Sequence, residues 1–201
     1  MRHIHPNSRT FKEFIAFWAR YCALEEFHLR WSARNMEQIQ LRRNQVLYGQ
    51  GDHQRYLYYV SRGMIAHIQH GTKNRRIFSI AVPGMSLTTT THLFSCSEVP
   101  GEIVALRSGS VLRIPYRAIH ENLEHDGPIN TLLSVLTNKQ YRFLQLIRRS
   151  CLSDSPRERY RQFAALLPDL LQQTTQREHA DLLGISRDTV QKTKKELLFS
   201  R

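Results

Sequence analysis

The stretch that most constrains the fold is residues 174–201, TTQREHADLLGISRDTVQKTKKELLFSR. Thr175 stands three residues before Glu178, the spacing of a capping box, in which hydroxyl and carboxylate each take an amide that a helix start leaves free. Ala180, Leu182 and Leu183 supply apolar bulk, and Gly184 can take the left-handed conformation that ends a helix. Ser186 follows as the N-cap of a second helix expected from about Arg187 to Leu198. Two short helices across a tight glycine turn make a helix-turn-helix.

The faces of the second helix follow from spacing. Val190, Thr193 and Leu197 should face the first helix, leaving Arg187, Asp188, Gln191, Lys192 and Lys195 on the opposite side with Ser186 at their base. Such a helix fits a B-DNA major groove. There Arg187 can hold guanine through paired hydrogen bonds, Asp188 can accept one from cytosine, and Gln191 and Lys192 can assist. Lys195 suits a phosphate, which adds affinity but little sequence information. A helical hairpin with a solvated charged face has the same pattern.

A net charge of +12 over 201 residues favours a polyanionic partner, although the C-terminal stretch is not the most basic part of the chain. An apolar fraction of 41% supplies a core. No run approaches the ~18 apolar residues of a membrane span, and MRHIHPNSRT lacks the apolar middle of an export signal, so a cytoplasmic protein without a membrane partner is expected. Cys22, Cys96 and Cys151 have no paired spacing, which argues against a disulfide framework, a zinc site or an iron–sulfur cluster. His67 and His70 lie three apart on a strand and face opposite sides, so no metal or other cofactor is expected.

Residues 9–44 read as helical, with Phe11, Phe14, Ile15, Trp18, Tyr21 and Cys22 on one face and a more polar helix over Leu24–Ile39. The aromatic face is expected to pack on the following domain. From Gln45 short strands alternate with turns: Gln45–Tyr48, Leu57–Val60, Met64–His70, Arg75–Ala81, Glu102–Leu106 and Val111–Ile114. Glycine-bearing turns are expected at 49–52, 61–63, 71–74 and 107–110. This texture implies a closed antiparallel β-roll of the jelly-roll kind. A short helix, Ala118–Leu123, precedes a long one from Pro128 to about Leu152. Ile129, Leu132, Leu133, Leu136, Phe143, Leu144 and Ile147 form its stripe, near the period of a two-helix seam. The stripe could pair two subunits or lie on the chain's own roll. Lys139, Arg142, Arg148 and Arg149 make the other face basic. Ser155, with Pro156 next and Glu158 three on, starts the C-terminal helices.

In order, the expected α+β organisation is a helical segment (1–44), a β-roll (45–117), a connecting and pairing helix (118–152) and a helix-turn-helix domain (153–201). The run VLYGQGDHQRYLYYVSRGMIAHI, Val46 to Ile68, resembles the start of the cyclic-nucleotide-binding roll of the CRP/FNR transcription factors. SPRERYRQFAALLPDLLQQTTQREHADLLGISRDTV, Ser155 to Val190, resembles the C-terminal domain of their Bacteroidetes-type relatives. The resemblance implies a homodimer on double-stranded DNA, with a small-molecule effector and RNA polymerase as further partners. An enzyme built on a jelly roll would need clustered metal-binding histidines and a glutamate, which the sequence lacks, so no enzymatic activity is expected.

The resemblance also implies where cyclic AMP would be held: a Gly-Glu pair for the ribose and, about ten residues on, an Arg-Ser/Thr pair for the phosphate. Without gaps between Gly84 and Tyr116, these positions hold Thr88-Thr89 and Val99-Pro100. The carboxylate and the cation are both missing, and a phosphate buried without a positive partner is costly. Cyclic AMP binding is therefore not expected, and the polar run Thr88–His92, led by Thr88 and Thr89, is left as a candidate contact for another effector. The chain ends too soon after the second helix for the wing many relatives carry, and Thr193 and Lys194 stand where apolar residues often seat that helix, which implies looser docking. The alternative is a ligand-binding signalling protein whose helix-turn-helix contacts protein.

Overall fold

The structure is a computed structural model, and it describes residues 4–199 apart from 50, 53–54, 72–73, 92, 94, 96 and 124–125. Gln50, Thr72, Lys73, His92 and Cys96, which figure in expectations above, lie outside the described residues. The chain divides into two units, residues 1–67 with 80–140, and residues 68–79 with 141–201.

The first unit opens with α1 (Arg9–Trp18), where the Ser8 hydroxyl accepts the Phe11 amide at the helix start. Phe11, Phe14, Phe17 and Trp18 fall on one face, and all four are buried. They join Leu57, Tyr59, Leu112, Ile114, Ile129 and Leu136 in one apolar cluster, so the aromatic helix packs on the roll. Phe17, which the expected face omits, is buried there, and Tyr21, expected on that face but beyond the end of α1, is exposed. Phe14 meets the Tyr59 ring edge-on at 5.0 Å, and the Trp18 indole N–H donates to the Pro128 carbonyl at 2.9 Å. The indole thus buries its apolar area and still satisfies its one donor.

The helical reading of residues 9–44 fails beyond Asn35. Helix α2 (Glu26–Asn35) ends at Met36, which is extended, and Glu37–Leu41 forms strand β1. β1 pairs antiparallel with β6 from Glu37 opposite Arg113 to Leu41 opposite Gly109. Tertiary pairing overrides a weak helical pattern here: Met36 and Leu41 are buried, and Glu37 forms an ion pair with Arg113.

The sheet comprises β1, β2 (Val46–Tyr48), β3 (Tyr56–His70), β4 (Arg75–Ala81), β5 (Ser86–Thr88) and β6 (Glu102–Pro115). β1, β6, β3 and β4 lie in that order, with β2 on β6 and β5 on β3. The turns expected at 61–63 and 107–110 are bends within the long strands β3 and β6. Gly63 has φ of 84°, and a Cβ there would stand 2.7 Å from the Ser108 carbonyl oxygen. A Cβ on Gly109 would overlap the Arg62 carbonyl. Only glycines let the two backbones approach this closely, so the ladder turns a corner without breaking.

Helix α3 (Tyr116–Leu123) and the first half of α4 (Gly127–Ser150) close the first unit. Asp126 accepts the Ile129 amide at 2.8 Å and meets Nε2 of the buried His28 at 3.1 Å. His28 Nδ1 accepts the Glu25 amide, so Nε2 carries the proton given to Asp126. One carboxylate thereby ties α2 to the start of α4.

The α4 stripe divides. Ile129, Leu132, Leu133 and Leu136 are buried in the first unit's own cluster, so they do not offer a free pairing face. Phe143 and Leu144 are half-buried, Tyr141 is exposed and Ile147 is buried in the second unit. Among the described residues no group of His, Cys, Asp and Glu could hold a metal, and no helix is long and apolar enough to cross a membrane.

Candidate nucleic-acid interface

The second unit contains α5 (Pro156–Leu166), α6 (Pro168–Gln173), α7 (Gln176–Leu183) and α8 (Arg187–Phe199). The Ser155 hydroxyl accepts the Glu158 amide, with Pro156 in the first helical turn. At α7 the reciprocal cap forms: Glu178 Oε2 accepts the Thr175 amide at 2.7 Å, and Thr175 Oγ1 accepts the Glu178 amide at 3.3 Å. Gly184 ends α7 with φ of 67°, and its amide donates to the Ala180 carbonyl. Ser186 Oγ accepts the Thr189 amide at 3.0 Å and starts α8.

Tyr160, Phe163, Leu167, Leu170, Ala180, Leu182, Leu183 and Val190 make the apolar interior of this unit. His179 lies among them, its ring 5.3 Å from Phe163 and 5.8 Å from Tyr160. The Thr174 hydroxyl donates to the Leu170 carbonyl, so its oxygen receives the His179 Nε2 proton, at 2.8 Å. Burial pushes the His179 pKa down to about 4, against smaller opposing effects of the Leu171 backbone and the Glu178 charge. The imidazole is therefore neutral and built into the core.

Val190 and Thr193 are both closed to solvent on the inner face of α8, and Leu197 is half-buried. Thr193 donates its hydroxyl to the Thr189 carbonyl at 2.9 Å. A buried hydroxyl with its partner costs little, so the looser seating expected at Thr193 has no counterpart there. Arg157 and Arg161 of α5 both pair with Glu196, at 3.3 and 3.1 Å, and fix the far end of α8.

On the outer face Ser186, Arg187, Asp188, Gln191, Lys192 and Lys195 are all exposed. Ser186 is already engaged by its capping bond. Asp188 and Lys192 form an i, i+4 pair at 2.9 Å. An exposed pair of this kind holds with only ~0.5 kcal/mol, so both groups can be redirected to bases or phosphates cheaply.

Thr88 and Thr89 of the roll both make local hydrogen bonds. Thr88 Oγ1 donates to the Thr90 carbonyl at 2.9 Å, and Thr89 Oγ1 accepts the Tyr56 amide at 3.0 Å. Thr89 is buried, and the backbone ladder continues from it to Val99. These hydroxyls close the strand segment. Arg107 donates to the Leu106 carbonyl at its own bend, and His67 bonds the Pro100 carbonyl.

Sequence reasoning missed a group of arginines around the α7–α8 turn. Arg75 and Arg76, at the end of the β3–β4 hairpin, line a cleft of about 500 Å³ with Arg177, Asp181, Gly184 and Arg187. The Arg-Arg dipeptide after a turn was visible in the sequence, but its position beside the helix-turn-helix depends on tertiary structure.

Residues 38–126 match the cyclic nucleotide-binding domain family. CLP of Xanthomonas campestris, described as a c-di-GMP responsive global regulator linking cell-cell signalling to virulence gene expression, superposes with a TM-score of 0.68 at 16% identity, covering 88% of this chain and 93% of CLP. FixK2 from Bradyrhizobium japonicum gives 0.66 at 16% identity, over 82% of this chain and 85% of FixK2. A CRP-family transcriptional regulator from Thermus thermophilus gives 0.62 at 17% identity, over 82% and 85% of the two chains. No curated protein matches the sequence. The chain thus has the fold of the CRP/FNR transcriptional regulators, with a cyclic nucleotide-binding-type domain over residues 38–126.

Proposed function

We propose that this chain is a cytoplasmic, homodimeric, sequence-specific DNA-binding transcription regulator, not an enzyme, whose roll does not bind cyclic AMP. The observation that carries the reading is the exposed row Arg187, Asp188, Gln191, Lys192 and Lys195, on a helix seated by Val190 and Thr193 behind a glycine turn. That row has the donors, acceptor and cations that base edges and phosphates need. Arg187 and Asp188 read bases, Gln191 and Lys192 assist, Lys195 holds phosphate, and Ser186 fixes the helix start. RNA polymerase is the downstream partner of such a dimer.

The dimer seam rests on the second half of α4, through Tyr141, Phe143 and Leu144, because the first half is covered within the protomer. Two α8 helices related by the dimer axis then meet half-sites one helical turn apart, ~34 Å. Cyclic AMP is disfavoured because Thr88-Thr89 and Val99-Pro100 supply neither the ribose carboxylate nor the phosphate cation. The threonine hydroxyls support a structural role for this segment rather than an effector contact.

The test is calorimetry of the purified chain with cyclic AMP and cyclic GMP, alongside binding to a random duplex pool. No heat together with enrichment of a subset of duplexes is expected. Micromolar nucleotide binding would sink the reading of the roll. An unaltered pool would sink the reading of α8 and favour protein contacts for the helix-turn-helix.

A further inference from the structure

The cleft at the α7–α8 turn lies within the second unit, between the β3–β4 hairpin and the helix-turn-helix, and its charged lining is mostly basic. Four arginines line it (Arg75, Arg76, Arg177 and Arg187) against one carboxylate, Asp181. Arg75 Nε stands 3.1 Å from Asp181 Oδ2, both atoms closed to solvent and too poorly aligned for a hydrogen bond. This pair fixes the hairpin arginine in place and leaves little of its charge free. Arg76, Arg177 and Arg187 make no ion pair with any described residue. Arg76 reaches the turn itself, since a Cβ added to Gly184 would overlap its guanidinium. The cleft measures about 500 Å³, enough for a phosphate or pyrophosphate group with its water.

Three unpaired guanidiniums around a concave surface repel one another, and a multivalent oxyanion relieves that repulsion while accepting their forked hydrogen bonds. Asp181 opposes the anion at one wall, which selects against a ligand that would fill the whole cleft. We propose that this cleft is a phosphate-binding site, with Arg76 and Arg177 as its principal ligands and Arg187 at its rim. The phosphate can belong to the DNA backbone beside the half-site or to a free phosphorylated molecule. The chemistry is shared, and the two sources separate by experiment. The first rests on the DNA-binding reading above; the second does not.

The chain is titrated with inorganic pyrophosphate in the absence of DNA, following the side-chain Nε–H resonances of its arginines. The same chain is bound to its selected duplex over a range of salt. Arg76→Gln is compared with Arg149→Gln, a control on the exposed face of α4, and thermal melts of both check folding. Saturable pyrophosphate binding, weakened about tenfold or more by Arg76→Gln and not by Arg149→Gln, supports the site and a free anion. A fall of ~1 in the salt slope of duplex binding with Arg76→Gln supports the site with a backbone phosphate. Pyrophosphate binding and a salt slope both indifferent to Arg76→Gln would overturn the proposal while leaving duplex recognition intact. Pyrophosphate binding that depends on Arg76, in a chain that binds no duplex, would uphold the site and remove the DNA-binding reading instead.

Discussion

Acid should loosen the helix-turn-helix unit through one residue, His179. Its ring is packed against Tyr160 and Phe163, and burial pushes its pKa down to about 4, whereas an unfolded chain restores the ordinary value of 6.5. Between those two values the unfolded state binds the proton and the folded state does not. Stability is therefore complete above the unfolded pKa and is lost as pH falls from there toward the folded pKa. From the two values the loss is ~2 kcal/mol at about pH 5 and ~3 kcal/mol at about pH 4, relative to about pH 8. For a unit of this size ~2 kcal/mol lowers the melting midpoint by roughly 10 °C. The assay is amide hydrogen exchange on α7 and α8 at several pH values, which reads this unit separately from the roll. His179→Gln retains a donor for Thr174 but does not titrate, so it should remove this share of the acid sensitivity. Carboxylates contribute equally to both proteins and cancel in the comparison. An equal acid loss in wild type and His179→Gln would refute the reasoning, as would an imidazole that titrates near 6.5 in the folded chain.

Gly184→Ala should cost roughly 1–2 kcal/mol, because φ of 67° is unfavourable for any residue with a Cβ and Arg76 must also move aside. Chemical denaturation of the helix-turn-helix unit reads it, and a neutral result would contradict the cap geometry. Leu136→Ala, in the interior beneath α1, should cost about 2–5 kcal/mol in the first unit without altering subunit association. Leu144→Ala should do the opposite, with a small effect on unfolding and a rise in the dimer dissociation constant measured by sedimentation.

The parts legible in the sequence are those that local chemistry decides. Thr175, Glu178, Gly184 and Ser186 each act within one turn of chain, and each takes the role that its spacing specifies. The inner face of α8 was readable for the same reason, because Val190 and Thr193 share one side of a helix whatever surrounds it. Long-range features were not readable. Gly63 and Gly109 look like turn residues in isolation, and only their mutual approach across two strands makes them a corner in a continuous ladder. Residues 37–41 alternate over only Ile39 and Leu41, too short a run to be read apart from the preceding helix, and become a strand by pairing with β6. The α4 stripe announces an apolar face but not its cover, which over its first half is α1 and the roll. The arginine cleft needs the hairpin and the α7–α8 turn brought together, which no local spacing encodes.

Base reading by α8 is tested most directly by duplex selection with the wild-type chain and with Arg187→Ala. Enrichment of approximately palindromic sites with half-sites about one helical turn apart is expected. In Arg187→Ala, preference should relax at one base per half-site, with a loss of about 1–3 kcal/mol confined to that position. No enrichment by the wild-type chain, or a uniform loss across all sequences in the variant, would contradict base reading from the exposed face of α8.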